Sequence, residues 1–256
     1  MVSKIKNFAL GTSLFIAVIV IWKALCVFGV ISPWILSGPE DTIKEFVTLI
    51  IDGTLPKMLA ISCLNIFPAF FVAVAISLVL GIPIGMNKTV SRIFSPFLSS
   101  IYLIPSLAWL PLIVLFLGFD RSAIWVVIFI SSFVRMIYSV IGGVRNVNVN
   151  WLLVAQNIEL KKIDIIMKVV LPGALPQIMS GIRVGFGSAW RSLIGAEMLV
   201  ITAGGLGKYI WMSQWTFKFE QVFSGIITIA LVGIAIEVLL FKKIEEATLF
   251  KWGMIQ

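Results

Sequence analysis

The chain has 256 residues, of which 60% are hydrophobic and 12% are charged, and its formal net charge is +8 at pH 7. Apolar runs of membrane-spanning length recur along it, which indicates an integral membrane protein and excludes a water-soluble globular domain. The positive charge does not indicate nucleic-acid binding, because most lysines and arginines lie at the ends of the apolar runs, where membrane orientation requires them. Lipid is therefore the first partner that we expect.

The polar gaps between the runs are too short to form a separate catalytic domain, so we expect one membrane domain over residues 1–256. Cys26 and Cys63 both lie inside apolar segments and are interpreted as small hydrophobic residues rather than a disulfide or a metal pair. We expect no cofactor, no metal and no catalytic residue.

The first predicted span covers 8–28 and follows Lys4 and Lys6. It resembles a signal peptide, but the apolar run is too long and no small-residue cleavage site follows, so we expect it to be retained. An acidic loop at 29–57 comes next, with a short surface helix at 43–51.

The second predicted span, 59–86, exceeds the roughly 20 residues that cross a membrane, so it tilts, kinks at Pro68 or emerges near Pro83. Its Gly81 and Gly85 form a face of small residues that favours close helix packing. We expect the same of Gly181 and Gly185 in the fifth span, and both pairs favour association with a second chain.

The third predicted span, 94–117, is interrupted by Pro105 and Pro111. Proline frees backbone carbonyls that a cavity or a neighbouring helix must satisfy, so this helix is a candidate wall of a solute pathway. A merely kinked helix is the alternative. The fourth span follows at 123–141.

The fifth predicted span, 178–202, carries three ionisable residues. Arg183 lies near one end, where it can reach headgroups or loop carbonyls. Arg191 lies about 12 Å deeper, at 1.5 Å per residue, and is interpreted as the only strong cation near the bilayer midplane. It forms either a structural ion pair, with Glu237 of the sixth span (222–241) or with Glu197, or an anion-attracting site in a pathway.

Six spans place both termini on one side of the membrane, and the basic residues indicate which side. Eleven fall with the termini, the 87–92 turn and the 145–177 loop: Lys4, Lys6, Lys88, Arg92, Arg145, Lys161, Lys162, Lys168, Lys242, Lys243 and Lys251. Five fall on the other side: Lys44, Lys57, Arg121, Lys208 and Lys218. The positive-inside rule therefore predicts that the termini and the 145–177 loop are cytoplasmic.

The segment 154–176 is the longest polar-bearing interruption of the apolar runs. Its lysines are too costly to hold in hydrocarbon, yet its leucines and isoleucines are too apolar for a solvated loop. This mixed composition predicts that the segment contacts another protein.

Several motifs in order resemble the permease subunits of ABC importers, most closely the nitrate, sulfonate and taurine type. The matching residues are Leu36–Pro39, Gly81–Gly85, Ile104–Pro105 with Leu110–Leu112, Ala155 followed by Lys168–Pro172 and Ala174–Pro176, Gly181–Gly185 and Ala196–Met198. The resemblance runs over about 36–252.

The resemblance implies an all-α permease of the type I importer fold with about six transmembrane helices and a cytoplasmic coupling helix between the fourth and fifth. It implies cytosolic ATPase subunits, an external binding protein and a second permease chain, with a homodimer expected rather than a heterodimer. It also implies a cell inner or plasma membrane. ATP would be hydrolysed on another chain, and no Walker motif occurs in this sequence. The alternative is a secondary transporter or channel without an ATPase, although secondary transporters usually show internal repeats and none is evident.

Two sets of site residues follow from the resemblance. The set that would contact the ATPase is Leu152, Leu153, Ala155, Gln156, Ile158, Glu159 and Leu160. The set that would line the solute pathway is Pro105, Pro111, Arg191 and Glu197. The solute is a small polar or anionic nutrient that the sequence does not name.

The loop departs from the family at two positions. The family's acidic residue falls on Leu153 and its glycine on Glu159. That glycine shapes a turn, since glycine adopts left-handed backbone angles at little cost. Either the helix runs on through Glu159, or the turn forms with a less favourable residue.

Overall fold

The computed structural model describes residues 2–29 and 37–243, and every regular element within them is helical. Leu36 of the first motif, Lys251 and the end of the resemblance at Trp252 lie outside the described residues. One end of the helix bundle, called the loop side, holds the turn at Asn87 and the segment 146–161, and residues of both line one cavity. The other end is the opposite side.

The first helix, α1 (Val2–Val27), leads into a short helix, α2 (Pro39–Ile51), on the opposite side. The apolar part of α1 that can be described is Ile16–Val27. Lys23 of α1 pairs with Glu40 in the first turn of α2. The hydrogen bond from Lys23, with its charge, holds the pKa of Glu40 below its ordinary value.

Helix α3 (Thr54–Met86) has 33 residues and contains Pro68 and Pro83 without ending at either. It confirms the second predicted span and begins earlier than expected. Asn87 ends it and caps the next helix, because its side chain accepts from the backbone N–H of Thr89 at 2.9 Å.

The third predicted span is two helices rather than one. Helix α4 (Lys88–Leu103) and a segment comprising a 3₁₀ turn (Ser106–Trp109) and α5 (Leu110–Leu117) are bent by 90°. Ile104 is extended, as a residue before proline prefers, and Pro111 lies in the first turn of α5, where its missing N–H costs nothing. Pro105 therefore breaks the span, and the kinked-helix alternative is wrong.

Helix α6 (Arg121–Arg145) crosses back to the loop side and leads to α7 (Val149–Asn157). Helix α8 (Lys162–Ile165) then continues through a π-helical segment, Ile166–Val170, into α9 (Leu171–Leu199). These last three form one apolar helix of 38 residues. At 1.5 Å per residue it is about 57 Å long, against about 30 Å of hydrocarbon, so its charged first part has room to project beyond the membrane.

On the opposite side, α10 (Leu206–Trp215) lies between α9 and α11 (Phe219–Ala235), and a π-helical segment, Ile236–Phe241, extends α11. Among the described residues, four continuous helices are long and apolar enough to cross a membrane, or five with the broken pair, against the six predicted. The described apolar part of α1, Ile16–Val27, is too short to be counted with them.

Helix α6 occupies the centre of the described chain, packed between α3 and α9. Close approach depends on glycine. A Cβ added to Gly81 or Gly85 would lie 2.7 Å from carbons of Val140 or Val144 in α6, and one added to Gly181 would lie 2.2 Å from the Cβ of Ser139. Both glycine faces are therefore filled within one chain, so the expectation that they support a second chain is wrong.

Candidate functional site

Helix α7 is the element that the sequence predicted to contact an ATPase. Asn148 caps it by accepting from the N–H of Asn150 at 2.9 Å. Only Ala155 of α7 is buried, while Leu152 is half-buried against the apolar cluster around Val170. Leu153 and Ile158, in contrast, are 50% and 64% exposed.

The predicted ATPase-contacting set is therefore divided between two faces. Residues that face inward or are half-buried are Leu152, Ala155 and Leu160, and exposed residues are Leu153, Gln156, Ile158 and Glu159. The exposed face combines leucine and isoleucine with polar side chains. Such a face fits an apolar groove on another protein.

The turn after α7 forms with glutamate at the position of the family's glycine. Glu159 has a φ of 55°, in the left-handed region. The N–H of Leu160 donates to the carbonyl of Ala155 at 3.2 Å and that of Glu159 to Gln156 at 2.9 Å, the bond pattern of a Schellman motif. Of the two alternatives for residue 159, the helix running on is excluded.

Glu159→Gly is expected to raise stability by about 1 kcal/mol, because a non-glycine residue in the left-handed region costs about 1–2 kcal/mol and glycine's unfolded-state entropy offsets part of the gain. The matched control is Gln156→Gly, an exposed position inside the same helix, where glycine lowers stability by roughly 0.5–1 kcal/mol. Thermal unfolding in detergent measures both. Equal losses in the two variants would contradict the strain at Glu159.

A cavity of about 1190 Å³ lies between α7, the end of α6, the α3–α4 turn and the start of α8. Four cations line it, with no carboxylate among the lining residues: Lys88, Arg92, Arg145 and Lys162. Leu152 and Gln156 of α7 also line it, and Arg145 bonds Ser91 across one wall. Helix α7 therefore packs on the bundle through Leu152 and Ala155, with this basic cavity beside it.

A second cavity, of about 270 Å³, lies at the break between α4 and α5. Pro105 lines it together with polar side chains from α4, the 3₁₀ turn and α6: Tyr102, Ser106, Ser131 and Arg135. Ser106 and Ser192 of α9 are hydrogen-bonded through their hydroxyls at 2.8 Å. The break thus meets α6 and α9 at one place, whereas Pro111 is not among the residues that line this cavity.

Arg135 is the cation of this cavity, and sequence reasoning missed it. It precedes Arg145 by ten residues of α6, which places it about 15 Å deeper and near the middle of a hydrocarbon core of about 30 Å. Its guanidinium carbon lies 5.6 Å from the centre of the Tyr102 ring. The interpretation of Arg191 as the only midplane cation is therefore wrong, and the same arithmetic applied to α6 would have found Arg135.

The ion pair suggested for Arg191 is made by another arginine. Arg183 pairs with Glu237 of the last described helix. Arg191 is exposed, its Nη2 lies 3.4 Å from the hydroxyl of Ser188, and it forms no ion pair with a described residue. Arg191 and Glu197 are not among the residues that line either cavity above.

Glu197 is fully buried in a polar cluster that joins α9 to α3 and α10. One carboxylate oxygen accepts from the Ser62 hydroxyl at 2.9 Å and the Gly207 N–H at 3.0 Å, and the other accepts from the Asn65 amide at 2.8 Å. Gly205, with φ 99°, must be glycine, since an added Cβ would lie 2.1 Å from the carboxylate. This cluster positions the start of α10.

Burial also raises the pKa of Tyr209 in α10 to about 12, so its hydroxyl stays neutral at physiological pH.

This chain is similar to known proteins in both its sequence and its fold. A family model for the binding-protein-dependent transport system inner membrane component matches residues 73–241. The chain is 30% identical over 222 residues to the taurine transport system permease protein of Escherichia coli (strain K12), covering 85% of this chain and 80% of that protein. It is 32% identical over 235 residues to the putative aliphatic sulfonates transport permease protein of Bacillus subtilis (strain 168), covering 92% and 84%.

Among solved structures, the inward-facing MetNI methionine ABC transporter contains a chain that matches with a TM-score of 0.60 at 16% identity, covering 75% of this chain and 96% of that one. At this identity the likeness concerns the fold, and it confirms the predicted type I importer permease architecture. The chain is thus an ABC transporter permease, and it belongs to the family of binding-protein-dependent transport system inner membrane components.

Proposed function

We propose that this permease is the membrane subunit of an importer whose cytosolic ATPase docks on α7, with a second permease chain and an external binding protein completing the assembly. The observation that carries the proposal is the exposed apolar face of α7. Leu153, Val154 and Ile158 are each half or more exposed, on a helix that lies outside the predicted spans.

The charge distribution supports an orientation for this assembly. The loop side holds the basic residues of the 87–92 turn and of 145–168, which favours a cytoplasmic position for α7 and for both termini in an inner or plasma membrane. An ATPase that docks on α7 would then reach ATP in the cytosol. The opposite side, with α2 and α10, would face the binding protein.

The broken span supports a solute pathway beside α6. Its small cavity is lined by residues of α4, the 3₁₀ turn and α6, so a continuous path needs further walls, and a second permease chain would supply them. The two curated relatives are named for taurine and aliphatic sulfonates, which favours a small polar or anionic solute.

Replacing both Leu153 and Ile158 by aspartate is expected to abolish ATPase binding and uptake. A charge moved into an apolar groove costs several kcal/mol, and about 3 kcal/mol corresponds to a loss of roughly 100-fold in affinity. The measurement is copurification of ATPase subunits from native membranes, identified by mass spectrometry, together with ATP hydrolysis in the eluate.

The matched control is the double variant with Ile43→Asp and Ile51→Asp, which introduces the same two charges at residues 59% and 81% exposed on the opposite side. This variant should keep its ATPase. Unchanged copurification and unchanged uptake in the α7 double variant would refute docking on α7.

A further inference from the structure

We infer that the cavity at the break between α4 and α5 is a binding site for a small anion, of the sulfonate or carboxylate class, and that Arg135 is its cationic contact. The inference rests on the proposed function, since it names the chemical class of the solute. It assigns recognition to a residue inside the membrane domain rather than to the loop or to the exposed Arg191.

The first argument is charge. A guanidinium at mid-membrane depth must face a partner or a watery cavity. Within residues 37–243 no carboxylate forms an ion pair with Arg135. Glu197 is instead hydrogen-bonded to Ser62, Asn65 and Gly207. Glu237 is paired with Arg183. The positive charge in this cavity is therefore not neutralised by the described chain.

The second argument is geometry. The Nε of Arg135 is buried and has no hydrogen-bond partner among the described residues. The guanidinium carbon lies over the ring of Tyr102, a neutral neighbour that attracts the cation without neutralising its charge. A guanidinium presents parallel N–H groups that match the oxygens of a sulfonate or carboxylate, so an anion can accept two bonds at once.

The third argument is size and depth. The cavity of about 270 Å³ is smaller than the roughly 300–1,000 Å³ typical of drug-sized ligand sites, so its occupant has few heavy atoms. Arg135 lies about 15 Å from the interface marked by Arg145, which is too deep for a lipid headgroup. A small solute on its way through the membrane fits both limits.

The test uses the purified permease with its copurified ATPase in nanodiscs and radiolabelled methanesulfonate as the probe. Wild-type protein should bind methanesulfonate, and unlabelled methanesulfonate should compete while the neutral methanesulfonamide should not. Arg135→Gln should weaken binding at least tenfold. Arg135→Lys should bind with intermediate affinity, because lysine keeps the charge and loses the paired donors.

The matched control is Arg121→Gln, which removes the same charge from the other end of α6, at a residue that does not line the cavity, and should bind as wild type does. Melting temperature and ATPase copurification show whether each variant is folded and assembled. If Arg135→Gln does not fold, the binding affinity of Arg135→Lys tests the inference. Equal binding by wild type and a folded Arg135 variant, or no binding by wild type, would overturn the inference. A permease that binds methanesulfonate through Arg135 but carries no ATPase would refute the proposed function instead.

Discussion

Glu197→Ala is expected to destabilise the chain by about 3 kcal/mol or more, because each buried donor left unpaired costs about 1–3 kcal/mol and the substitution strands those of Ser62, Asn65 and Gly207. The loss should be concentrated at the start of α10, which the carboxylate holds against α9. Thermal unfolding in detergent gives the magnitude. Hydrogen exchange of the α10 amides gives the location.

Glu197→Gln is the matched variant and should remain close to wild-type stability. Its amide oxygen can accept from Ser62 and Gly207, and its NH₂ group can donate to the Asn65 oxygen, which is buried without a partner, once the Asn65 amide turns over. If glutamine destabilises as much as alanine, hydrogen-bond satisfaction is not what Glu197 supplies. If glutamine folds but does not transport, the predicted pathway role of Glu197 gains support.

Gly181→Ala is expected to destabilise by about 1–3 kcal/mol, the usual cost of overpacking a well-packed contact. The added carbon would lie 2.2 Å from the Cβ of Ser139, and that atom cannot move without α6 moving as well. Melting temperature and the yield of folded protein after solubilisation measure the effect.

Gly187→Ala makes the same chemical change six residues along α9, where no atom of another described element lies within 4 Å of an added Cβ. Alanine has the higher helix propensity, so this variant should match or exceed wild-type stability. A Gly181→Ala protein as stable as Gly187→Ala would show that α6 and α9 do not approach as closely as the structure indicates.

Much of the fold follows from hydropathy, because apolar length and flanking charge act locally. The spans at 59–86, 123–141 and 222–241 are all found as helices with shifted ends. The break at Pro105 had a signal in the sequence, since proline removes a donor and restricts the preceding residue. Its angle of 90° did not, because that angle depends on packing against α6 and α9.

The candidate sites depend more on tertiary contacts. The sequence does not decide between a turn and a continuing helix at Glu159, because the backbone cost of a left-handed glutamate is small beside the energy of loop packing. The partners of Glu197 come from α3 and α10, more than a hundred residues apart in the chain, so no local pattern reveals them. Arg135 is different from these two sites, because its depth in the membrane can be predicted by counting residues along α6 alone.

The helix from Lys162 to Leu199 continues through its π-helical segment, so as one rigid rod it would turn about the close contact between Gly181 and Ser139. Its arm toward the loop side is 19 residues, about 28 Å, and its arm toward Ser192 is 11 residues, about 16 Å. A displacement of about 3 Å at Lys162 would therefore move Ser192 by about 2 Å in the opposite direction. That displacement is enough to part the hydroxyls of Ser106 and Ser192, now 2.8 Å from each other, beside the broken span.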